Sequence, residues 1–324
     1  MIRPRVSVVI PVYNEEAVLR QLFGRLYPAL DRLGVPYEVV LVDDGSRDRS
    51  AALLRAQFDM TRAHTRVLLL QYNVGQHMAI LAGFAHACGE RVVTLDADLQ
   101  NPPEEIAKLL QAMDEGHDYV GGIRSARRDS WWRTTLSHFI NWLRHRITHI
   151  RLTDQGCMLR AYDRHVIEAI LQSGEANTFI PALAYTCARN PAEVEVAHEV
   201  RAGGASKYSL WKLIRLNFDL MTGFTITPLR LFSLLGMTLS AFAAALVGYL
   251  VYRRLWLGPE AEGVFTLFAI MFLLIGIVLF GIGLLGEYVG RIYEQVRARP
   301  RYVVHEVLQS PLAQDVSPAR EEVA

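Results

Sequence analysis

The chain has 324 residues, of which 51% are hydrophobic and 21% are charged. With a mean hydropathy of +0.16, it is too apolar to be disordered and slightly too apolar for a purely soluble enzyme. The formal net charge is only +1, which argues against a nucleic-acid partner that is bound through bulk charge. Three widely spaced cysteines, Cys88, Cys157 and Cys187, argue against a disulfide scaffold or a structural zinc site.

Apolar, β-branched runs alternate with helical stretches through the first part of the chain. Near-continuous apolar strands separated by helices are typical of an α/β fold with a parallel sheet covered on both faces. In such a sheet, ligands bind beyond the carboxyl ends of the strands. We expect strands at residues 6–12, 38–42, 66–70 and 91–95, and helices at residues 15–33, 48–58, 75–88 and 103–115.

Polar side chains follow three of these expected strands. No GxGxxG motif follows the first strand and the sequence contains no GxxxxGK[ST] motif, which disfavours a dehydrogenase-type dinucleotide fold and a P-loop ATPase. If the protein binds phosphate groups, it must bind them without either of these glycine-rich motifs. The polar clusters are Asn14-Glu15, Asp43-Asp44 and Asp96-Ala97-Asp98.

Asp96 and Asp98 lie directly after the fourth expected strand. Carboxylates two residues apart point the same way in an extended chain, and oxygen ligands suit Mg²⁺ or Mn²⁺. Gln100 and Asn101 can add a neutral oxygen ligand. An isolated DxD is by default a solvated turn, but its position after a buried strand favours a metal site formed by Asp96 and Asp98, with Gln100 or Asn101 as a further oxygen ligand.

Asp43 and Asp44 end the second expected strand. A carboxylate at this point can accept hydrogen bonds from a base or a ribose, and we expect both aspartates to contact a nucleotide. For Ser46 and Asp48, which follow, a structural role is an equally good interpretation, because either residue can cap the amino end of the next helix.

Two uncharged segments of 22 residues follow, at residues 231–252 and 264–285. As helices, each would extend about 33 Å, enough to cross a hydrocarbon core of about 30 Å. The alternative is a pair of buried core helices. Because a short link joins them, the segments predict a transmembrane hairpin with both flanks on one side. Basic residues are concentrated in the flanks, so the positive-inside rule places both termini and residues 1–224 in the cytoplasm.

The N-terminus reaches Asn14 after one short apolar run, which is not typical of a signal peptide. Residues 209–223 have apolar side chains at three- and four-residue steps, which predicts an amphipathic interface helix with Trp211 at headgroup depth. The alternative is a surface helix packed on the soluble domain. The expected boundaries are 1–206 for the soluble domain, 207–229 for the amphipathic segment, 231–252 and 264–285 for the spans, and 286–324 for the C-terminal segment.

Four runs of sequence lie at the ends of the expected strands: VSVVIPVYNEE at 6–16, VDDGSRDRS at 42–50, NVGQHMAILAGF at 73–84 and LDADLQNPPEE at 95–105. Together they resemble the signature of the GT-A glycosyltransferases of family 2, in the branch that acts on polyprenyl phosphates. The resemblance covers almost the whole chain, including the hairpin and ARPRYVV at 298–304. It implies a Rossmann-like GT-A catalytic domain, interface helices and a two-helix transmembrane hairpin.

Within that branch, GCMLRAYDRHVIEAI at 156–170 and TFIPALA at 178–184 resemble the enzymes that transfer 4-deoxy-4-formamido-L-arabinose for lipid A modification and cationic-peptide resistance. The alternative donors are UDP-glucose or another hexose. The resemblance implies a UDP-sugar donor, undecaprenyl phosphate as acceptor, Mg²⁺ or Mn²⁺ as cofactor, and the bacterial inner membrane. It also implies a homo-tetramer, in which residues 302–307 would add a strand to a neighbouring copy.

The resemblance also assigns roles to single residues. The uridine pocket would be lined by Pro11, Tyr13 and Glu15, with Asp43 on the uracil or ribose and Asp44 beside it. The metal and the donor diphosphate would be held by Asp96, Asp98 and Gln100. The phosphates would be contacted by Arg124, Arg133, Arg201 and Lys207, and Asp154 matches the position of a catalytic carboxylate.

A lipid phosphate is largely dianionic at neutral pH, so it requires charge neutralisation more than a general base. One in-line displacement would invert the anomeric centre, with Asp154 orienting the acceptor or stabilising an oxocarbenium-like state. A processive synthase with a hydroxyl acceptor is disfavoured because the sequence has no QxxRW motif. A non-catalytic lipid-binding membrane protein is disfavoured by the intact acidic clusters.

Overall fold

The computed structural model describes residues 4–124, 153–154, 156–173, 179–199, 227–257, 264–297 and 300–310. The chain divides into two compact units. The first, here the catalytic unit, comprises residues 1–135, 150–207 and 299–324, and the second, here the hairpin unit, comprises residues 136–149 and 208–298. The domain boundaries expected from the sequence remain predictions.

The catalytic unit contains eight strands and six α-helices within its described residues. The strands are β1 Val6–Val12, β2 Tyr37–Asp43, β3 Thr65–Leu70, β4 Arg91–Thr94, β5 Tyr119–Arg124, β6 Arg160–Asp163, β7 Pro191–Val196 and β8 Val304–Leu308. The helices are α1 Leu19–Asp31, α2 Ser50–Met60, α3 Gln76–His86, α4 Ile106–Asp114, α5 Arg164–Gln172 and α6 Ile180–Cys187, and a 3-10 turn at Pro103–Glu105 leads into α4.

All eight strands form one mixed sheet in the order β7-β5-β6-β4-β1-β2-β3-β8. Four of the pairs are parallel, namely β1–β2, β1–β4, β2–β3 and β5–β7. The other three, β3–β8, β4–β6 and β5–β6, are antiparallel. The prediction of an α/β fold with a mostly parallel sheet is confirmed, and the carboxyl ends of β1, β2 and β4 lie along one edge.

The central strands are apolar along their length because helices cover both faces of the sheet. In β1 every residue except Pro11 is buried, and α1 packs through the stripe of Leu19, Leu22 and Leu26, none of which has exposed surface. Helix α3 lies so close to the sheet that a Cβ on Gly83 would come within 2.3 Å of Val9 Cγ1. This close packing fixes the amino end of α3 beside the carboxyl ends of the strands.

The last strand of the catalytic unit is added after the hairpin in sequence. Strand β8 pairs antiparallel with β3, and Gln71 N–H donates to the carbonyl oxygen of Val303 at 3.0 Å. Arg55 on α2 holds Glu306 through two hydrogen bonds of 2.7 and 2.6 Å. Val304–Leu308 therefore extends the sheet of its own chain, and the expected pairing of residues 302–307 with a neighbouring copy stays a prediction.

The hairpin unit contains α7 Thr227–Leu257 and α8 Val264–Val296, which enclose the two predicted spans. In the described residues, the window Leu273–Gly290 is long and apolar enough to cross a membrane, and only 11% of it is buried, unlike a core helix. A shorter apolar stretch, Leu229–Leu239, lies in α7. The two helices pack together at Gly281 of α8 and Phe232 of α7. A Cβ on Gly281 would come within 2.2 Å of the Phe232 ring, so glycine leaves the space that this ring fills.

Candidate active site

The loops after β1 and β2 are joined by hydrogen bonds between side chains and backbone. Asn14, with φ of 55°, accepts a 2.8 Å bond from Arg47 N–H on its side-chain oxygen and donates its own N–H to Ser46 Oγ at 3.0 Å. Glu15 N–H donates to Ser50 Oγ at 2.9 Å. The two loops therefore form one fixed rim at the edge of the sheet. Of the residues predicted to line a uridine pocket, the rim contains Tyr13, which is exposed, and Glu15, which is half-buried, and Pro11 lies just below them in β1.

Asp43, at the end of β2, is 3% exposed. One carboxylate oxygen, Oδ2, accepts a hydrogen bond from Ser46 N–H at 3.2 Å. The other, Oδ1, is buried and has no partner within the described part of the chain. Burial raises the pKa of Asp43 above its ordinary value. Because an unsatisfied buried acceptor is unfavourable, Oδ1 is suited to an N–H or O–H group of a ligand.

Asp44 is equally buried but is fully engaged with the protein. Its Oδ1 accepts from Val74 N–H at 2.8 Å, and its Oδ2 accepts from Gly75 N–H at 3.0 Å and from Asn73 Nδ2 at 2.9 Å. A Cβ on Gly45, whose φ is +65°, would lie 2.7 Å from the backbone of Asn73. Asp44 thus positions the segment that begins α3, and its predicted contact with a nucleotide stays a prediction.

The acidic pair Asp96 and Asp98 follows β4 in a tight turn, where Leu99 has φ of 59°. Asp96 Oδ1 accepts a 2.6 Å hydrogen bond from Gln76 Nε2, and Asp98 Oδ1 accepts from Gln100 N–H at 3.1 Å. Both aspartates and Gln100 are half-buried. Across the described ranges, no group of three His, Cys, Asp or Glu side chains is arranged to hold a metal. A cation bound here would therefore take part of its ligand set from substrate oxygens or water.

Arg124, the last residue of β5, forms a bidentate ion pair with Asp154. Arg124 Nε lies 2.6 Å from Asp154 Oδ2, and Arg124 Nη2 lies 2.7 Å from Oδ1. Gly156 leaves room for the guanidinium, since a Cβ there would lie 2.7 Å from Nη2. Burial alone raises the pKa of Asp154, but the hydrogen bonds and charge of Arg124 outweigh burial and hold that pKa below its ordinary value.

One residue at this edge was not predicted from the sequence. His198 follows β7, and the next residue, Glu199, donates its N–H to the carbonyl oxygen of Gln100 at 2.8 Å. Burial and the charge of Arg124 lower the pKa of His198, whereas the charges of Asp154 and Asp98 raise it, so the imidazole lies among the predicted site residues. Because β7 itself was not predicted, no sequence signal pointed to this residue.

The structure brings together most of the predicted residues. Asp43, Asp96, Asp98 and Arg124 end or follow strands at the carboxyl edge of the sheet, and Asp154 lies in the segment that precedes β6. Three predicted phosphate contacts, Arg133, Arg201 and Lys207, lie outside the described residues together with the expected amphipathic segment. Their roles stay predictions.

Comparison with protein-family models gives two matches. The model described as glycosyl transferase family 2 matches residues 7–171, which is just over half of the chain. The model described as GtrB C-terminal hairpin matches residues 227–292. The two matches correspond to the catalytic unit and to helices α7 and α8.

The chain is also similar to individual proteins. It is 52% identical over 307 residues to an undecaprenyl-phosphate 4-deoxy-4-formamido-L-arabinose transferase of Edwardsiella ictaluri strain 93-146, covering 94% of each chain. Mannosyl-3-phosphoglycerate synthase from Rubrobacter xylanophilus aligns with a TM-score of 0.49 and 15% identity, covering 68% of this chain and 72% of that one. Glucosyl-3-phosphoglycerate synthase from Mycobacterium tuberculosis, solved with Mn²⁺, UDP and glucosyl-3-phosphoglycerate, aligns with a TM-score of 0.47 and 18% identity, covering 68% and 78%.

The family match extends from β1 into α5, and the match to the relative covers 94% of the chain. The family resemblance expected from the sequence motifs is confirmed. The chain belongs to glycosyl transferase family 2 and is a glycosyltransferase.

Proposed function

We propose that this protein transfers 4-deoxy-4-formamido-L-arabinose from a UDP donor to undecaprenyl phosphate at the cytoplasmic face of a bacterial inner membrane. The observation that carries this proposal is the 52% identity to the Edwardsiella transferase over 94% of both chains, which includes the site loops and the hairpin. We also propose, from the resemblance of its sequence motifs, that the reaction serves lipid A modification and cationic-peptide resistance.

The nucleotide would bind at the rim formed by the loops after β1 and β2. Asp43 Oδ1 is a buried acceptor that no described residue satisfies, and the uracil N–H or a ribose hydroxyl supplies the missing donor. Pro11, Tyr13 and Glu15 lie beside it at the end of β1. A pyrimidine nucleotide therefore fits this end of the site.

The donor diphosphate would lie over the acidic turn after β4. Asp96, Asp98 and Gln100 offer two carboxylates and an amide oxygen, a set of hard donors that fits Mg²⁺ or Mn²⁺. Such a cation neutralises the charge that develops on departing UDP. Gln76 holds Asp96 through its 2.6 Å hydrogen bond and so fixes the orientation of one carboxylate of the pair.

Arg124 would bind the donor phosphates, with Asp154 as the group that orients it. A guanidinium held through two nitrogen atoms keeps its plane fixed, which favours recognition of phosphate oxygens. The depressed pKa of Asp154 keeps this carboxylate ionised, so it is a poor proton acceptor. A dianionic lipid phosphate needs no general base, so an Asp154 that stays ionised and accepts no proton is compatible with this acceptor.

In the proposed reaction, an oxygen of the lipid phosphate attacks the anomeric carbon of the sugar. A new carbon–oxygen bond forms as the bond to UDP breaks, and UDP leaves with the electron pair. The configuration at the anomeric carbon inverts in this single displacement. The guanidinium of Arg124 would donate hydrogen bonds to phosphate oxygens and so stabilise the charge on the departing diphosphate.

The hairpin unit would hold the enzyme at the membrane where the acceptor resides. Its apolar helices suit two spans, and the basic residues that flank them in sequence, including Arg230, Arg291 and Arg297, favour a cytoplasmic location for both flanks. Because residues 300–310 belong to the catalytic unit, both ends of the hairpin connect to the same unit. This connectivity supports an even number of crossings.

The test is a donor panel with the full-length protein in nanodiscs and undecaprenyl phosphate as acceptor. Donors are UDP-4-deoxy-4-formamido-L-arabinose, UDP-glucose and UDP-N-acetylglucosamine, with Mg²⁺ or Mn²⁺. We expect UDP release and a lipid product of the mass of the formamido-arabinose adduct, with Asp98→Ala as the inactive control. A preference for UDP-glucose would overturn the sugar assignment, and no UDP release with any donor would overturn the transferase assignment.

A further inference from the structure

Arg160, the first residue of β6, is a fully buried cation beneath the candidate site. Its side chain has no exposed surface. Nη2 donates to the carbonyl oxygen of Asp154 at 2.6 Å, and Nε donates to the carbonyl oxygen of Cys157 at 2.8 Å. Nη1 donates to the phenol oxygen of Tyr119. The guanidinium therefore holds both ends of the turn from Asp154 to Cys157.

Arg160 forms no ion pair with an acid within the described part of the chain. Its three partners there are two backbone carbonyls and a phenol, and the carboxylate of Asp154 is engaged with Arg124. A buried charge without a counter-charge is unfavourable, and an apolar side chain of similar volume would serve packing better. The hydrogen bonds that Arg160 makes must therefore matter more than the volume it fills.

The surroundings of Arg160 are shaped to hold its fork in one orientation. A Cβ on Gly121 in β5 would lie 2.9 Å from Nη1, so glycine leaves the space that this nitrogen needs. Tyr119 accepts a hydrogen bond from Arg160 and donates one to the carbonyl oxygen of Pro181 at 3.3 Å. The centroid of its ring lies 5.9 Å from Arg160 Cζ. The guanidinium is thus connected to β5 and α6 as well as to the turn.

Asp154 is held from two sides. Arg124 fixes its carboxylate, and Arg160 fixes its backbone carbonyl. We propose that Arg160 is a positioning residue, which holds the 154–157 turn so that Asp154 can orient Arg124 toward the donor phosphates. This proposal rests on the proposed function in one respect, because it assumes that Asp154 and Arg124 serve sugar transfer.

The test is a double-mutant cycle with Arg160→Lys and Asp154→Asn, read as kcat and KM in the donor assay. Lysine keeps the charge but cannot bond three acceptors in the fork geometry. We expect Arg160→Lys to lower kcat more than tenfold while the KM for the donor changes less than threefold. In the Asp154→Asn background, the same substitution should lower kcat less than threefold further, because the two residues act as one unit.

The matched control is Arg66→Lys, which changes another buried arginine. Arg66 on β3 donates to the carbonyl oxygen of His86, at the end of α3 farthest from Gln76. Its replacement should leave kcat within twofold of wild type. Three outcomes would each overturn a positioning role: Arg160→Lys lowers kcat equally in the wild-type and Asp154→Asn backgrounds, it leaves kcat within twofold of wild type, or the variant fails to fold.

A second measurement does not depend on activity. Hydrogen exchange of the full-length protein in nanodiscs should be at least tenfold faster for peptides covering 153–159 in Arg160→Lys, and unchanged there in Arg66→Lys. Unchanged exchange in Arg160→Lys would overturn the proposal. Absence of turnover in the wild type would overturn the proposed function alone, because the exchange experiment would still decide whether Arg160 holds the turn.

Discussion

Arg124 and Asp154 face each other across a distance of 30 residues in sequence, joined by hydrogen bonds of 2.6 and 2.7 Å. The antiparallel pairing of β5 with β6 brings their segments together, since Gly121 lies opposite Arg160 in that ladder. Side-chain exposure is 21% for Arg124 and 6% for Asp154. The pair is therefore sheltered enough for its geometry to be fixed by the fold, yet the arginine still reaches the surface.

Replacing Asp154 by asparagine should remove this orientation. We expect Asp154→Asn to lower kcat by about a hundredfold or more, in line with the loss of a group that stabilises transition-state charge. Steady-state kinetics with the UDP-sugar and undecaprenyl phosphate measure the effect. Glu168→Gln, which removes the exposed partner of Arg164 on α5, is the matched control and should stay within twofold of wild type. A kcat above half of the wild-type value for Asp154→Asn would contradict the assigned role.

Asp43 and Asp44 are neighbours with different roles, so their substitutions should separate. Asp44→Asn weakens the hydrogen bonds to Val74 and Gly75 and should lower stability by about 1–3 kcal/mol, seen as a lower apparent melting temperature. Asp43→Asn should leave the melting temperature nearly unchanged but weaken UDP binding at least tenfold. Calorimetric titration with UDP measures the second effect. Equal effects of the two substitutions on both quantities would refute this distinction.

The acidic turn after β4 should control binding of the divalent cation. We expect Asp98→Asn to abolish the Mn²⁺-dependent increase in UDP affinity and to lower turnover by at least a thousandfold, because a carboxylate ligand is lost. Asp114→Asn, on an exposed aspartate that pairs with Arg91, is the control. Electron paramagnetic resonance of Mn²⁺ measures binding directly. Retention of Mn²⁺ affinity in Asp98→Asn would remove that residue from the metal site.

The pH dependence should come from the acceptor rather than from Asp154. The dianion of a phosphate monoester takes up a proton near pH 6, so kcat/KM for the lipid should fall as the pH drops below about 6. The depressed pKa of Asp154 keeps that carboxylate ionised throughout this range. The acid limb should therefore persist in Asp154→Asn, at lower absolute rates. Loss of the limb in that variant would show that Asp154 itself titrates during turnover.

The proposed topology predicts which sites an impermeant maleimide reaches in intact spheroplasts. Glu260→Cys, in the link between α7 and α8, should be labelled from outside, whereas Met60→Cys, 80% exposed on α2, should react only after lysis. Both variants carry Cys187→Ser, because Cys88 and Cys157 are buried whereas Cys187 is partly exposed. Labelling of Met60→Cys from outside would contradict a cytoplasmic catalytic unit.

The strongest predictions from sequence were those that depend on local apolar pattern. The strand expected at residues 6–12 coincides with β1 because its side chains are almost all buried. The helix expected from residue 15 begins at Leu19 instead, because the backbone N–H groups of Glu15 and Glu16 bond to Ser50, the first residue of α2, and to Asp48 in the loop before it. Contacts between distant segments decide such boundaries, and the apolar pattern does not contain them.

Strands β5, β6 and β7 were not predicted. Strand β5 contains Gly121 and Gly122, and β6 carries the buried charge of Arg160, so neither shows the usual strand composition. The acidic residues at strand ends were predicted correctly as neighbours of one edge. The hydrogen bonds of Asp44 to residues 73–75, the Arg124–Asp154 pair and the placement of His198 depend on partners far away in sequence, which explains why they were not predicted.

Strand β8 has a consequence for the order in which the protein is made. It covers the outer edge of β3, yet it is synthesised after both helices of the hairpin. Until then β3 presents an open edge, which is a template for pairing with other chains. The nascent sheet can gain this strand only once the hairpin has emerged from the ribosome, so completion of the catalytic unit comes after the synthesis of both α7 and α8.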